Sequence, residues 1–600
     1  MTEHSKQNPE IDESQISETM ADIAERSQRL VKEFLTKQSE AGSGSVGIDD
    51  PLNIGSAFLE MTTKMMTQPH KMVEANMNLW QDYMKLWQNT ASRMMGQETT
   101  PIVEPERDDR RFKGEAWEND VFDFIKQSYL LTSNWMEDTV SDVEGLDKKT
   151  QQKVEFFTKQ YADALSPTNF VMTNPEVLQT TIETRGENLI NGLRNLLEDL
   201  ERGGGKLNIK MTDADAFEVG KNVATTPGKV VFRNDLMELI QYTPTTEKVA
   251  KTPLLICPPW INKFYILDLR EKNSFIKWAV EQGNTVFVIS WVNPDRELAM
   301  KTFTDYMLEG PLAAIQAIKD ATGEDEVNAV GYCIGGTLLA TTLAYMAARK
   351  MKGVKSATYF TTMVDFEEAG DLGVFIDDTS LKNLEDKMNE RGFLEGSEMA
   401  STFNMMKAND LVWSFVVNNY LLGKDPFPFD LLFWNSDSTR MPAAMHSFYL
   451  RNMYLDNKLV EPGGIEIEGV KLDLRKIKVP TYIISTREDH IAPWKPTYKA
   501  TQLYAGPIRF ILSASGHIAG VVNPPAAGKY CYWINDDIPA DPCAWLAGAE
   551  QHEGSWWPDW DKWLKKQNGK ELVDAREPGD GKLKPICDAP GKYVTMKASG

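Results

Sequence analysis

Cysteine and histidine are scarce in this chain of 600 residues, and long apolar runs are missing. The 5 cysteines are odd in number and widely spaced, so they indicate neither a disulfide framework nor the paired ligands of a zinc site. No run of about 18 apolar residues occurs, so no bilayer span is expected. The formal net charge of -22 argues against nucleic acid or anionic lipid as a non-specific partner, because both need clustered cations.

The N-terminal third of the chain differs from the rest in composition and in hydrophobic periodicity. Residues 1–48 are polar and charged and end in a Gly-Ser linker composition, so we expect a disordered acidic arm. The start has no basic stretch followed by an apolar core, so we expect no secretory signal and a cytoplasmic protein. Residues 49–205 have helical periodicity, which three glycines at 203–205 interrupt. We therefore predict a helical domain over 49–205 and a second domain over 206–600.

One helical segment carries an apolar stripe. Its members alternate at spacings of four and three residues and are Val73, Met77, Trp80, Met84, Trp87, Ala91 and Met94. Such a stripe most often packs on a partner helix or another domain. Because methionine and tryptophan suit adaptable apolar contacts, the alternative is contact with an outside hydrophobic surface or a helical partner protein.

Beyond residue 205 the pattern changes to strands. Residues 217–226 and 230–242 resemble an antiparallel pair, whereas 253–257 and 285–291 are continuous apolar runs typical of buried parallel strands. The alternation of such strands with helices predicts an α/β sheet covered on both faces. A stretch of about 110 residues then precedes the next strand, far more than a connection needs, so we expect a cap insertion over 367–475.

A cysteine lies on a sharp turn between a predicted strand and a predicted helix. In Gly331-Tyr332-Cys333-Ile334-Gly335-Gly336, Cys333 stands where the Gly-x-Ser-x-Gly elbow of lipases has its serine. Small glycines suit this turn because strand and helix pass too close for larger side chains. Amide N–H groups at the start of the helix would stabilise a thiolate there. Alone, the motif also fits a buried structural cysteine.

Titratable residues follow two further apolar, β-branched runs. Glu488, Asp489 and His490 follow the first run, and His517 follows the second. The order nucleophile, acid, histidine is that of α/β-hydrolases, in which loops beyond parallel strands meet at one edge of the sheet. In these roles His517 takes the proton of Cys333 and Asp489 orients the imidazole. Glu488 remains an alternative acid and His490 an alternative base.

The remaining histidines are poorer candidates for the base. His4 lies in a polar tail, His70 in a helical segment and His552 before a tryptophan-rich stretch, while His446 follows no strand-like run. We expect exposed or packing roles for these four.

Several segments, in the same order along the chain, resemble those of poly(3-hydroxyalkanoate) synthases. Besides the cysteine motif they are residues 258–269 (PPWINKFYILDL), 290–295 (SWVNPD), 487–494 (REDHIAPW), 515–520 (SGHIAG) and 554–560 (GSWWPDW). The similarity runs from about residue 100 to the C-terminus and is to the single-subunit class. It implies an α/β-hydrolase fold with an inserted cap, preceded by a mostly helical N-terminal domain.

The resemblance also implies an activity. Cys333, Asp489 and His517 would be the catalytic residues of an acyltransferase that polymerises (R)-3-hydroxyacyl-CoA, with short-chain monomers such as 3-hydroxybutyryl-CoA favoured. Coenzyme A (CoA) would leave as a Cys-linked thioester forms, so neither a cofactor nor a metal is expected. Whether Asp489 or His517 activates the 3-hydroxyl stays open. For the oxyanion, the fold predicts the backbone N–H of Ile334 and, after the strand at 253–257, that of Ile261.

Partners and alternatives follow from the same resemblance. It implies a homodimer that is bound at the surface of polyester granules and contacts granule-associated proteins through its N-terminal domain. An acyl-CoA thioesterase or another acyltransferase of the same fold would use the same triad. A non-catalytic granule scaffold would instead depend on the apolar stripe.

Overall fold

The computed structural model describes residues 25, 26, 29, 50, 52–106 and 109–597, which form two compact units. The helical unit comprises the described residues up to Asp213 together with Lys407–Phe427. The sheet unit comprises Ala214–Met406 and the residues from Pro428 onward. The predicted arm over 1–48 lies outside the described residues except at 25, 26 and 29, which are helical. The chain thus leaves the helical unit slightly beyond the predicted boundary at 205 and returns to it within the segment expected as the cap.

Within the described residues from 50 to 213, the helical unit has six α-helices. They are α1 (Ile54–Met66), α2 (Pro69–Met94), α3 (Asp120–Ser141), α4 (Lys148–Ala164), α5 (Pro175–Glu183) and α6 (Glu187–Arg202). The side chains of Asn119, Asp147 and Asn174 accept backbone N–H groups at the starts of α3, α4 and α5. A glycine follows the end of α6, as the sequence indicated. The prediction of a helical N-terminal region is confirmed.

The segment Lys407–Phe427 contributes two wide helical turns, Asn409–Trp413 and Val416–Leu421, to the helical unit. It is tied to α6 by side-chain amides. The Nδ2 of Asn188 donates to the carbonyl of Leu421 at 2.7 Å, and the Nδ2 of Asn195 donates to the carbonyl of Asn419 at 3.1 Å. A stretch from the middle of the sequence therefore completes the N-terminal unit.

The apolar stripe of α2 faces outward. Its large side chains are 41% to 65% exposed, whereas Leu86, which is not in the stripe, is fully buried. Trp87 makes an edge-on contact with Phe124 of α3, with ring centroids 5.3 Å apart. The stripe as a whole is nevertheless not packed inside the described part of the protein, which was the more common arrangement expected from the sequence. The alternative, contact with an outside apolar surface, is the one that this exposure allows.

In the described part of the sheet unit, eleven strands form one mixed sheet. They are β1 (Gly228–Arg233), β2 (Met237–Tyr242), β4 (Leu254–Cys257), β5 (Val286–Trp291), β6 (Val327–Tyr332), β7 (Val354–Phe360), β12 (Thr481–Thr486), β13 (Ile508–Ser513), β14 (Cys531–Ile534), β15 (Glu550–Glu553) and β17 (Cys587–Asp588). Their order across the sheet is β15-β14-β13-β12-β7-β6-β4-β5-β2-β1-β17. The central strands from β13 to β5 are parallel, and the strands outside them pair antiparallel. The predicted parallel strands are confirmed, and their continuous apolar runs are explained by burial on both faces.

The prediction that residues 217–226 and 230–242 form an antiparallel pair is wrong about where the two strands lie. Both strands of the hairpin, β1 and β2, lie within 228–242, and the earlier segment contributes only an isolated bridge between Val219 and Val223. The turn is made by Asn234, whose Oδ1 accepts the N–H groups of Leu236 at 3.0 Å and Met237 at 2.8 Å. A side-chain turn of this kind splits an apolar run that periodicity alone reads as one strand.

Helices connect the strands and fill the long insertion between β7 and β12. The helices of the sheet unit are α7 (Phe275–Glu281), α8 (Phe303–Met307), α9 (Ala313–Thr322), α10 (Ile334–Arg349), α11 (Asp378–Arg391), α12 (Gly396–Met406), α13 (Asp430–Ser436), α14 (Ala443–Tyr449), α15 (Trp494–Tyr498), α16 (Ala500–Leu503), α17 (Pro542–Ala547) and α18 (Trp557–Asn568). Short strand pairs are β3 (Lys248–Ala250) with β16 (Leu572–Asp574), β8 (Phe393–Leu394) with β9 (Met441–Pro442), and β10 (Glu466–Ile467) with β11 (Val470–Lys471). None of the helices in the described ranges has both the length and the apolar composition that crossing a bilayer requires.

Candidate active site

Cys333 is the single residue between the end of β6 and the start of α10. Its backbone has φ 52° and ψ −125°, which is a strained conformation for a residue with a side chain. Its N–H donates to the carbonyl of Phe360 on the neighbouring strand at 2.9 Å. A Cβ added to Gly335 would lie 2.6 Å from the carbonyl oxygen of Pro258, and one added to Gly331 would collide with the backbone of Gly336. The glycines are therefore required by close packing, and the sulfur is displayed on a rigid turn.

The acid and the base meet beyond the adjacent parallel strands. The Nδ1 of His517, which follows β13, lies 2.7 Å from the Oδ2 of Asp489, which follows β12, and both residues are buried. The Oδ1 of Asp489 accepts the N–H groups of Ile491 and Ala492, each at 2.9 Å, and its Oδ2 accepts the hydroxyl of Thr486 at 3.1 Å. Four donors thus hold this carboxylate in one orientation.

His517 also pairs with the cysteine. Burial by itself lowers the pKa of His517, but the charges of Asp489 and Cys333 and its hydrogen bonds to both side chains raise the pKa to about 10. The protonated form of the imidazole is therefore favoured at this place. The structure brings together Cys333, Asp489 and His517, the three residues singled out from the sequence.

Glu488, the alternative acid, and His490, the alternative base, are not part of the pair formed by Asp489 and His517. Glu488 is exposed, and its backbone N–H donates to the carbonyl of Ser515 at 3.1 Å. His490 is half-buried, and its carbonyl accepts the N–H of Asp371 at 3.4 Å. The imidazole of His517 is bonded to Asp489 instead of Glu488. Adjacent residues at a strand end point apart, which accounts for the difference.

The loop that carries His517 is held by aromatic residues. The hydroxyl of Tyr332 donates to the carbonyl of His517 at 3.1 Å, and the two rings stack with centroids 5.8 Å apart. The indole N–H groups of Trp556 and Trp557 donate to the carbonyls of Gly520 and Val521, both at 2.9 Å. The tryptophan-rich stretch at 554–560 therefore holds in place the loop after β13, which carries His517. In the sequence, the one indication that Tyr332 could hold the His517 loop was its position next to Cys333.

Sequence reasoning missed two tyrosines from the long insertion. Tyr449 and Tyr454 are buried and hydrogen-bonded to each other close to Cys333. Burial first, and the charge of Cys333 in addition, raises the pKa of both phenols. They remain neutral hydroxyls, so the insertion adds no charge near Cys333 at these two positions.

The predicted oxyanion residues lie at the start of α10 and on the loop after β4. Ile334 is the first residue of α10 and follows Cys333 directly. Ile261 is on the loop after β4, the start of which passes against Gly335. The carbonyl of Ile261 accepts the N–H of Thr439 at 3.1 Å, so this loop is bonded to the insertion. The assignment of both N–H groups as oxyanion donors stays a prediction.

His446 is a buried histidine outside the triad. It lies on α14 at 1% exposure, and within the described part of the chain neither ring nitrogen has a hydrogen-bond partner. Burial lowers its pKa to about 4. The imidazole is therefore neutral near pH 7 and serves packing, which agrees with the role expected from the sequence.

The low pKa of His446 predicts how the stability of the folded protein depends on pH. Because its folded-state pKa lies below the ordinary value of about 6.5, the unfolded chain binds the proton first, and stability is lost as pH falls from about 6.5 toward 4. We expect His446→Leu to remove about 2 kcal/mol of the stability difference between pH 7 and pH 5. Urea unfolding of the variant and of His70→Leu, a change at an exposed histidine on α2, measures it. An equal pH dependence in the wild type and His446→Leu would contradict the prediction.

A parallel sheet with a nucleophile elbow and a carboxylate–histidine pair beyond the next strands defines an α/β-hydrolase fold, as predicted. Two family models match the chain. One is described as alpha/beta hydrolase fold and covers residues 252–524, and the other as Poly-beta-hydroxybutyrate polymerase (PhaC) N-terminus and covers residues 108–279.

Curated proteins resemble almost the whole chain. A poly(3-hydroxyalkanoate) polymerase of Methylorubrum extorquens is 52% identical over 93% of this chain and 93% of its own length. The poly(3-hydroxyalkanoate) polymerase subunits PhaC of Rhizobium meliloti and Cupriavidus necator are 47% and 43% identical, over 98% and 93% of this chain and 96% and 94% of their own lengths. The chain belongs to the poly(3-hydroxyalkanoate) polymerase family. The prediction of an acyltransferase is confirmed.

Proposed function

We propose that this protein polymerises (R)-3-hydroxyacyl-CoA, favouring short-chain monomers such as 3-hydroxybutyryl-CoA, and releases CoA through a thioester on Cys333. Family membership over nearly the full length supports the reaction. One structural observation carries the mechanism: the elbow cysteine is paired with a buried histidine that a fully bonded carboxylate orients. No resident cofactor or metal enters this scheme, since CoA belongs to the substrate.

The first step transfers the acyl group to the enzyme. The Cys333 thiolate attacks the thioester carbonyl, and the oxyanion accepts hydrogen bonds from the N–H groups of Ile334 and Ile261. The carbon–sulfur bond to CoA then breaks, and His517 gives its proton to the departing thiolate. Exchange of one thioester for another keeps the acyl group activated.

The second step makes an ester. The 3-hydroxyl of another acyl unit loses its proton to a base and attacks the Cys333 thioester, which returns the thiolate. His517 is the base that the geometry favours, because both carboxylate oxygens of Asp489 already accept hydrogen bonds. The buried, neutral side chains of Tyr449 and Tyr454 support exclusion of water, which would otherwise release a free acid.

A single assay separates this function from its alternatives. The purified protein is incubated with 3-hydroxybutyryl-CoA, thiol release is followed with a chromogenic disulfide, and the product is centrifuged. Sedimenting polyester supports the proposal. Soluble 3-hydroxybutyrate would identify an acyl-CoA thioesterase, and the absence of thiol release would leave a scaffold role.

The outward stripe of α2 suits the product of this reaction. We place the protein in the cytoplasm and at the surface of polyester granules, as a homodimer, with granule-associated proteins as further partners of the helical unit. The stripe includes Trp80 at 64% exposure and Trp87 at 62%, which lie two helical turns apart on the same face. Indole rings on one face are suited to lie on an apolar polymer surface.

Removing this stripe should separate binding from chemistry. We expect Trp80→Ser with Trp87→Ser to lower the fraction of protein that sediments with preformed polyester particles several-fold, while initial thiol release stays within about twofold. Gln81→Ser with Gln88→Ser, on the same helix, is the matched control. Unchanged sedimentation of the tryptophan variant would exclude the stripe as the binding face.

A further inference from the structure

The loop after β4 is bonded closely to a short segment of the insertion, residues 434–439. The indole N–H of Trp434 donates to the carbonyl of Lys263 at 2.7 Å, and the backbone N–H and hydroxyl of Thr439 both donate to the carbonyl of Ile261 at 3.1 and 2.8 Å. Asn262 forms an antiparallel bridge with Ser438. The conformation of a loop of the sheet unit is thus set by a segment about 170 residues further along the chain.

A buried ion pair lies at the centre of this contact. The Nζ of Lys263 donates to the Oδ1 of Asp437 at 2.7 Å, and the hydroxyl of Tyr265 donates to the Oδ2 at 2.9 Å. The side chains of Lys263 and Asp437 are only 3% and 14% exposed. Removing one partner of such a pair leaves an uncompensated buried charge, which is far more costly than losing a surface pair.

The bonded loop passes against the start of α10, two residues beyond Cys333. Its first residue, Pro258, has its carbonyl against Gly335 at the start of α10, and that carbonyl also accepts the indole N–H of Trp291 at 2.9 Å. The loop has no glycine-rich oxyanion sequence of the lipase type, so its shape has to be imposed from outside. The hydrogen bonds among Lys263, Tyr265 and Asp437 fix the shape of the loop within a few residues of Ile261.

We infer that Lys263, Tyr265 and Asp437 form a latch that holds the loop after β4 in the conformation that offers a backbone N–H to the thioester oxyanion. Asp437 is then a positioning residue for acylation of Cys333, and the insertion helps to build the oxyanion site as well as covering it. This inference rests on the proposed function. It gives the insertion a role in the chemistry that a simple cover would not have.

Two reactions of the same sulfur test the latch. Alkylation of Cys333 by iodoacetamide needs the thiolate but no oxyanion donor, whereas acylation by 3-hydroxybutyryl-CoA needs both. For Asp437→Asn we expect acylation, followed by rapid quenching and mass measurement of the Cys333 peptide, to slow by about 10-fold or more. Alkylation should stay within about twofold of the wild type. Asp456→Asn, which breaks the exposed ion pair to Lys458 in the same insertion, should change neither rate.

The outcomes are distinct. Equal acylation rates in the wild type and Asp437→Asn, or parallel losses of acylation and alkylation, would overturn the latch. If wild-type Cys333 is alkylated but never acylated, the proposed function itself fails and the latch falls with it. Tyr265→Phe removes a single hydroxyl and serves if Asp437→Asn does not fold; we expect the same pattern with a smaller loss, and no change in acylation would count against the latch.

Discussion

Replacing Cys333 by alanine is expected to abolish thiol release from 3-hydroxybutyryl-CoA and to leave no acylated peptide. The expected loss is at least about 10⁴-fold, because removal of the nucleophile removes the whole covalent pathway. Cys333→Ser should retain very little activity, since an alkoxide is harder to generate than a thiolate. Thiol release by the purified variants, followed with a chromogenic disulfide, gives the measurement.

A substitution at a second cysteine is the control for correct folding in this experiment. Cys531 is half-buried on β14, in the antiparallel part of the sheet, and Cys531→Ala should leave thiol release close to the wild-type rate. Sustained polymer formation by Cys333→Ala would refute the assignment of the nucleophile. Loss of activity in both variants would mean that alanine disturbs the sheet, and labelling of the acylated peptide would then decide.

The second large effect concerns the carboxylate. Asp489→Asn keeps the shape of the side chain but removes the charge that stabilises the imidazolium of His517, so thiol release should fall by about 10³ to 10⁴-fold. The pKa of His517 should fall as well, because Asp489 contributes the largest raising effect on it. The pH dependence of iodoacetamide alkylation at Cys333 reports that change.

The neighbouring acid supplies the matched control. Glu488 is adjacent in sequence and exposed, and Glu488→Gln should leave the rate and its pH profile unchanged. The reverse pattern, with a large loss for Glu488→Gln and a small one for Asp489→Asn, would exchange the roles of the two residues. Because the sequence left both acids open, this pair of variants tests the choice that the structure makes.

The central sheet could be predicted because burial on two faces leaves a direct mark in composition. Strands β4 and β5 are continuous apolar runs, and each was placed to within about a residue. The edge strand β15 could not be found, because Glu550–Glu553 contains only polar residues and pairs with β14 through its backbone. The hairpin of β1 and β2 was misdivided because Asn234 turns the chain through its side chain.

The site was predictable to the extent that it depends on the ends of parallel strands. Cys333, Asp489 and His517 each follow such a strand, and topology alone brings them to one edge. Tyr449, Tyr454 and Asp437 come from the insertion, where no periodicity links a residue to the sheet. Their proximity to the sulfur or to the loop after β4 arises from tertiary packing, which the order of residues along the chain does not encode.

The segment Lys407–Phe427 bears on how this protein can be cut and recombined. A fragment that ends at Asp213 would lack the carbonyls of Asn419 and Leu421, to which the amides of Asn195 and Asn188 donate. A hybrid in which residues up to 213 come from a relative would likewise set foreign amides against native carbonyls. Domain exchange in this protein therefore has to transfer two separate pieces of sequence, and a linear junction at the boundary leaves one of them behind.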